Sequence, residues 1–336
     1  MKRYNNLYKQ LVSIENIELA YKNARRNKTW QRQVQRIDKD KDYFLKQLQE
    51  SLINHTFKTA KYKTRTIYEP KKRLIYILPF YPDRIVQHAI VNVLSPIWEK
   101  LFIYDSYACR KGKGQHKGSR RCMQFAKKYE YCLQFDISKF YPSIRHDLLK
   151  AVIAKKIKDK EILDLLYDII DSTDSETNVP IGNFLSQWFG NLFLNELDMY
   201  VKHVLKVKPY IRYCDDFLIF GNDKKVLRDL SIKIENFVTQ KLQMKLSKEN
   251  LFHTYQGVDF LGYRHFHNGK ILVRKRTAKR TKKRMKLIEK HLIAGTENKI
   301  RARGQVASAN GWLKHAKSYN LRKSLKLDKL LKELIS

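Results

Sequence analysis

The chain has 336 residues, 43% of them hydrophobic and including 16 Phe and 20 Tyr, which is enough to bury a sizeable core and excludes wholesale disorder. Sixty-nine Lys and Arg stand against 33 Asp and Glu, a formal net charge of +36, and self-repulsion on that scale is ordinarily relieved by a polyanion. The longest apolar runs, such as Leu74–Phe80, fall far short of the ~20 residues of a membrane span, and no apolar stretch follows the basic N-terminus, so neither an anchor nor a signal peptide is expected. The four cysteines, Cys109, Cys122, Cys132 and Cys214, form no C-x-x-C pair and no zinc pattern, which suits packing roles in a reducing cytoplasm.

Apolar residues at helical spacing predict helices over Ile14–Ala24 and Asp42–Leu52. Strand-like stretches at Tyr62–Tyr68 and Arg73–Pro79, with Glu69-Pro70-Lys71-Lys72 between them, predict a basic hairpin. Asp83–Leu101 reads as a helix and Ser106–Lys117 as a Gly- and Lys-containing loop. A short apolar strand, Tyr131–Phe135, ends at Asp136. Helices follow at Arg145–Ile157 and Glu161–Asp171, then a polar loop over Ser172–Pro180 and a long helix over Phe184–Leu205. Tyr210–Phe220 reads as a hairpin turning at Asp215-Asp216, followed by a helix at Lys225–Leu242 and strands near Phe252–His267 and Lys270–Val273. The central order strand, helix, helix, hairpin, helix, strand suits a split βαβ sheet with helices on one face. Between Arg264 and Ser336 there are 22 Lys or Arg and 4 acidic residues, a net of +18, on helical patterns around Thr281–Ala294 and Lys299–Ser318. So lopsided a block points to a phosphate backbone.

Two segments carry chemistry. In Tyr213-Cys214-Asp215-Asp216, apolar strands hold two carboxylates at a tight turn, where mutual repulsion favours a bound cation; an Asp-Asp turn is otherwise common decoration. In Phe135-Asp136-Ile137-Ser138-Lys139-Phe140-Tyr141, Asp136 sits where a strand ends, which suits either a projecting carboxylate or a helix N-cap. An Asp closing one strand and an Asp pair in a later hairpin meet if their strands are neighbours. Such a set holds two divalent ions about 4 Å apart, the arrangement that serves nucleotidyl transfer.

The Tyr-Cys-Asp-Asp box is similar to the Y-x-D-D box of reverse transcriptases, and Phe135–Ser143 resembles their first catalytic motif. The resemblance implies an α+β right-hand polymerase with a ferredoxin-like (split βαβ) palm, helical and β fingers and a helical thumb. On that plan residues 1–60 extend the fingers as helices, 61–130 are the fingers, 131–263 the palm with finger helices at 145–175, and 264–336 the basic thumb. It implies that Asp136, Asp215 and Asp216 are catalytic and hold two Mg2+ ions, with Mn2+ as substitute and the Ile137 carbonyl assisting. Tyr141 becomes the steric gate that selects dNTPs, and Lys72, Arg73 and Gly182, joined by Arg84, complete the dNTP site. Lys248 matches the lysine that protonates the leaving pyrophosphate. Arg274, Lys275, Arg276, Lys279, Arg280, Lys282, Lys283 and Arg284 of the thumb meet template RNA and the RNA–DNA hybrid.

The stretch Ile181-Gly182-Asn183-Phe184-Leu185-Ser186-Gln187 narrows the resemblance. Most relatives carry Gln-Gly-x-x-x-Ser-Pro here, and Ile181 with Gln187 resembles the diversity-generating retroelement class, encoded by bacteria or phages. The implied function is adenine-mutagenised cDNA synthesis from a template-repeat RNA for mutagenic retrohoming, with a small basic helical accessory variability protein as partner. Both residues are expected beside the templating base pair, where Ile181 lacks a hydrogen bond that rewards correct geometry, worth about 1–3 kcal/mol of discrimination. The absence of a maturase or endonuclease extension after the thumb counts against a group II intron enzyme, and no retron signature is present. A retron-like or phage-defence reverse transcriptase, and a polymerase-shaped RNA-binding scaffold without turnover, are the competing readings.

Overall fold

The computed structural model describes residues 3–68, 72–295 and 298–334. In chain order the elements are α1 (Tyr8–Leu11), α2 (Ile14–Arg25), α3 (Arg32–Lys39), α4 (Lys41–Ile53), β1 (Lys63–Ile67), β2 (Arg73–Ile77), α5 (Ile85–Glu99), α6 (Gln115–Lys128), β3 (Tyr131–Ile137), α7 (Phe140–Ser143), α8 (His146–Ala154), α9 (Lys160–Ile170) and α10 (Phe184–Met199). They continue with β4 (Tyr210–Tyr213), β5 (Asp216–Gly221), α11 (Lys224–Gln240), β6 (Leu246–His253), β7 (Val258–Phe260), β8 (Tyr263–His265), β9 (Ile271–Val273), α12 (Lys275–Ile293), α13 (Lys299–Lys314), α14 (Tyr319–Ser324) and α15 (Leu327–Glu333). Two compact units arise: Met1–Tyr104 with Asp136–Lys206 and Lys233–Ser247, and Asp105–Phe135 with Val207–Ile232 and Lys248–Ser336. Among the described residues no helix is long and apolar enough to cross a membrane.

In the first unit, α2 starts where Ser13 Oγ accepts from the Asn16 N–H at 3.2 Å. Ile17, Ala20, Tyr21 and Ala24 make one buried stripe, which packs against α5. The Gln87 side-chain oxygen, carried on α5, accepts from the Phe184 N–H at 2.9 Å and so caps α10 from outside its own segment. The β1–β2 hairpin pairs Lys63 with Ile77 through Ile67 with Arg73.

In the second unit lies a four-stranded sheet of order β4-β5-β3-β6, apart from the ends of β3 and β6 that fall in the first unit. Numbered by their own sequence the strands run 2-3-1-4, the order of a ferredoxin-like split βαβ sheet. Ile211, Leu218, Phe220, Cys132, Phe125 and Phe260 share one core under α6. The helices α12–α15 close a separate core from Met285, Ile288, Val306, Leu313 and Leu330.

Several expectations need correction. Helix α6 begins inside the segment expected as loop, because Gly114 at φ +98 turns the chain and the helix buries Cys122, Phe125 and Ala126 despite its basic outer face. Strand β3 runs on to Ile137, so Asp136 is a strand residue and caps no helix. The pair Tyr213↔Asp216 closes β4–β5, so the two turn residues are Cys214 and Asp215 rather than Asp215 and Asp216. The stretch expected as one strand over Phe252–His267 is the end of β6 followed by β7 and β8, broken at Gly257 and Gly262, both at positive φ. Of the turn Glu69-Pro70-Lys71-Lys72, residues 69–71 lie outside the described residues.

Candidate active site

The β4–β5 hairpin is apolar almost throughout, with Tyr210, Ile211 and Phe217–Phe220 buried. Arg212 is the exception, a charged side chain at 0% exposure in the middle of it. Its Nη1 donates to the Cys214 carbonyl at 3.1 Å, holding the turn from beneath. Its backbone is fixed from the other edge, where Arg212 N–H donates to the Asp105 carbonyl and Tyr107 N–H to the Arg212 carbonyl, each at 3.0 Å. Asp105 is buried and accepts from Arg121 Nε at 2.9 Å and Nη2 at 3.2 Å. Cys214 takes φ +53, as a two-residue hairpin turn requires, and its thiol shares a hydrogen bond with that of Cys109. Cys214 and Cys109 thus pair with each other beside the acidic turn, more than the isolated packing residues the sequence indicates.

Asp216 opens β5, and its Oδ1 accepts from Gln134 Nε2 on neighbouring β3 at 3.3 Å. The same amide donates to the Asp259 carbonyl at 3.0 Å. One residue further along each strand, the Phe135 and Phe217 rings stack with centroids 4.8 Å apart. The carboxylate's charge is felt in the core beneath it: the Cys122 and Cys132 thiols are pushed up by burial first and by Asp216 in addition, whereas Lys248 on β6 pulls Cys132 down. Asp216 and Lys248 therefore act on one point of the sheet from opposite signs.

Asp136 follows Phe135 in β3 and belongs to the first unit, where its Oδ2 accepts from Ser247 Oγ at 2.7 Å. Ile137 is buried. Tyr141, in the short helix α7, is half-buried, and α10 approaches it at Gly190, where a Cβ would stand 3.1 Å from carbons of the Phe140 and Tyr141 rings. Gly182 is exposed at φ +131, and a Cβ there would stand 2.1 Å from the Tyr76 carbonyl oxygen, so no other residue fits. The Tyr76 N–H donates to the Ile181 carbonyl at 2.8 Å, which pins this stretch to β2. Ile181 is half-buried and Gln187 exposed on the first turn of α10, while Lys72 and Arg73 are exposed at the start of β2.

Of the basic residues expected on nucleic acid, Lys275, Arg276, Lys279, Arg280, Lys282, Lys283 and Arg284 are exposed along α12, with Arg284 Nε donating to Gln305 at 2.9 Å. Arg274 instead forms an ion pair with Asp259, anchoring the start of α12 to β7. Among the described residues no group of three or more His, Cys, Asp and Glu is clustered tightly enough to hold a metal ion. Gln134 and Ser247, both neutral donors, orient Asp216 and Asp136 without cancelling their charge, and their carboxylate oxygens are the hard donors that Mg2+ and Mn2+ take. Sequence reasoning missed Arg212, Gln134 and Gly190; only Arg212 left a signal, as a lone charge within a buried strand two residues before the turn.

The family model described as reverse transcriptase (RNA-dependent DNA polymerase) matches residues 58–265, which spans every motif residue above except those of α12 and Arg274. The chain is 26% identical over 263 residues to Protein YkfC of Escherichia coli (strain K12), covering 63% of this chain and 67% of that protein. It is 24% identical over 340 residues to the group II intron-encoded protein LtrA of Lactococcus lactis subsp. cremoris, covering 77% of this chain and 56% of that protein. The chain thus spans little more than half of LtrA's length. Among solved structures, apo telomerase from Candida tropicalis superposes with a TM-score of 0.50 at 13% identity, covering 82% of this chain and 63% of that chain. At that identity the likeness is one of fold, a mixed helix-and-sheet right-hand polymerase.

Proposed function

Since the chain belongs to the reverse transcriptase family, we propose that it polymerises DNA on an RNA template, with Asp136, Asp215, Asp216 and the Ile137 carbonyl holding two magnesium ions. One observation carries this reading: a turn braced by buried Arg212 presents adjacent carboxylates at the end of an apolar sheet, with Asp216 held by Gln134 of the neighbouring strand. Ions bound there supply charge stabilisation to the attacking and leaving oxygens. The remaining tasks fall to side chains. Tyr141, backed by Gly190, excludes a ribose 2′-OH; Lys72, Arg73 and Gly182 receive the triphosphate; Lys248 delivers a proton to the departing pyrophosphate; and α12 follows the nucleic-acid backbone through its exposed cations. Palm, fingers and thumb take the spans assigned from the sequence.

Within the family we read the chain as a diversity-generating retroelement enzyme that copies a template-repeat RNA with errors at adenine and works with a small basic accessory protein. Ile181 and Gln187 support this reading. The Ile181 backbone is tied to Tyr76, and its apolar side chain offers no donor or acceptor to a base pair. The test is primer extension on a defined RNA with Mg2+ and dNTPs, followed by sequencing of the cDNA, with accessory protein and without. Wild type is expected to extend and Asp215→Asn to make nothing. Ile181→Gln keeps synthesis and lowers misincorporation opposite adenine about tenfold. A wild-type chain inert with both Mg2+ and Mn2+ refutes the polymerase assignment, and unchanged adenine errors in Ile181→Gln refute the subtype's selectivity account.

A further inference from the structure

Two of the four cysteines meet beside the acidic turn, and the backbone of the second unit brings them there. Ser106 and Arg212 form a parallel bridge, closed by the Arg212 N–H on the Asp105 carbonyl and the Tyr107 N–H on the Arg212 carbonyl, each at 3.0 Å. Counting two residues on along parallel strands puts position 108 abreast of 214, immediately before Cys109. Both cysteines turn the chain, Cys109 at φ +54 and Cys214 at φ +53. The segment that carries Cys109 is anchored twice more: the Gly114 N–H donates to the Tyr107 carbonyl at 2.9 Å, and Arg110 Nη1 to the Ser106 carbonyl at 3.0 Å. Held so, the two free thiols share a hydrogen bond. Cys109 is exposed and Cys214 half-buried, so solutes reach the pair from the Cys109 side.

A pair so placed has the chemistry of a dithiol. The hydrogen bond from the Cys214 S–H pulls the Cys109 thiol down to about 7; that same bond, then burial and the charges of Cys109 and Asp215, push the Cys214 thiol up. Cys109 is therefore the nucleophile, since thiolates react and thiols do not. The other two cysteines are the contrast. Cys122 and Cys132 are fully buried in the core under α6, their thiols pushed up by burial, and sequestered thiols of that kind are inert. A hydroperoxide balances the reaction. The Cys109 thiolate attacks the peroxide O–O bond, which gives a sulfenic acid and releases hydroxide; Cys214 sulfur attacks the sulfenyl sulfur, loses its proton and expels water. Two thiols lose two hydrogens, hydrogen peroxide becomes two waters, and a small dithiol reverses the step by exchange. Oxidation also has a consequence at the turn. A covalent S–S bond brings two sulfurs roughly 1.5 Å closer than non-bonded contact does. Closing it draws Cys214, and with it the adjoining Asp215, toward the Cys109 segment, and a reacting group misplaced by about 1 Å loses about a hundredfold in rate.

We propose that Cys109 and Cys214 are a redox site, closed to a disulfide by a hydroperoxide and reopened by a dithiol, which displaces the Asp215 turn when oxidised. That polymerisation stops with the displacement rests on the role given to Asp215 above; formation of the disulfide does not, and is read without synthesis. The full chain is treated with a few equivalents of hydrogen peroxide, which catalase then removes. Thiols are counted after unfolding, and tryptic peptides are mapped by mass spectrometry without reductant. Free thiols are expected to fall from four to two, with peptides 101–110 and 213–224 recovered joined and lacking two hydrogens. Primer extension is expected to drop about a hundredfold and to return with dithiothreitol. Cys109→Ser, at an exposed position outside the residues assigned to catalysis, should extend like wild type and keep that rate through peroxide. Four surviving thiols overturn the proposal, as does a cross-link that joins Cys122 to Cys132 instead. A joined peptide with unchanged extension overturns the switch, and so does an equal peroxide loss in Cys109→Ser, which places the damage elsewhere. A wild-type chain that cross-links as expected yet never extends leaves the thiol pair standing while the polymerase assignment falls.

Discussion

Arg212, inside the β4–β5 hairpin, and Arg84, at the start of α5, are both guanidiniums withdrawn from water, yet their surroundings differ in kind. Arg212 is fully buried, its backbone is bonded on both sides by the Asp105–Tyr107 segment, and its Nη1 braces the Cys214 carbonyl. Arg84 is half-buried with an orphaned Nε, and after burial its charge further lowers the basicity of Lys28 and His88. Two histidines repeat the contrast. His315 Nε2–H donates to Ser119 Oγ at 2.8 Å, Ser119 donates to His265 Nε2 at 2.7 Å, and His265 Nδ1–H donates to the Val258 carbonyl at 3.1 Å, so His265 uses both nitrogens. His88 leaves Nε2 unused. A buried polar group with every partner in place is architecture; one buried without partners stores a desolvation cost that a ligand relieves.

That contrast breaks first at Arg212. Arg212→Met, similar in length and apolar, strips the turn of its brace and takes the guanidinium donor from the Cys214 carbonyl. Urea unfolding is expected to show a loss of roughly 3 kcal/mol, and primer extension to fall with it because Asp215 is no longer held. A variant as stable as wild type would make Arg212 as dispensable as an unpaired cation and erase the distinction.

The histidines give the next largest effect. Burial holds both His88 and His265 down to about 4, with neighbouring cations lowering His88 and His315 lowering His265. A depressed imidazole stabilises the fold fully above the free value of about 6.5, and that stabilisation is lost as pH falls through the window toward 4. Unfolding free energies should therefore decline from pH 7 to pH 4.5. Replacing His265 by Phe costs about 1–3 kcal/mol at every pH, since the Val258 carbonyl loses its donor. His88→Phe keeps the stack on Phe184, costs nothing at pH 7 and makes the acid decline shallower. Equal behaviour of the two variants at pH 7 would contradict the reading of satisfied against unsatisfied groups.

Much of this was legible in the residues. The alternation around Tyr213-Cys214-Asp215-Asp216 announces a hairpin, and the strand-helix-helix-hairpin-helix-strand order carries the ferredoxin-like sheet, because both depend on local periodicity. Strand β6 was not read at its start, since Ser247-Lys248-Glu249-Asn250 is too polar to resemble a strand and is held by its neighbour β3 rather than by propensity. Helix α6 hid behind Arg120, Arg121 and Gly118, a glycine whose Cβ would sit 2.9 Å from Leu261 Cδ1 and 3.3 Å from Tyr107. Gln134, Gly190 and the meeting of Lys28 with Arg84 depend on partners far along the chain, which no local pattern reports.

The smallest expected effect is the most diagnostic, because its sign is opposite to the first. Arg84→Met removes a cation that has no partner and that Lys28 repels, while the straight apolar side chain still fills the stem's place beside α5. Folding free energy should stay level or rise by up to about 1 kcal/mol, the behaviour of buried charges replaced by apolar residues of like volume. Arg212→Met, the same substitution in the same protein, loses roughly three times that. The variant should therefore melt no lower than wild type. A loss of stability at Arg84 comparable to that at Arg212 would mean the guanidinium is braced within the fold.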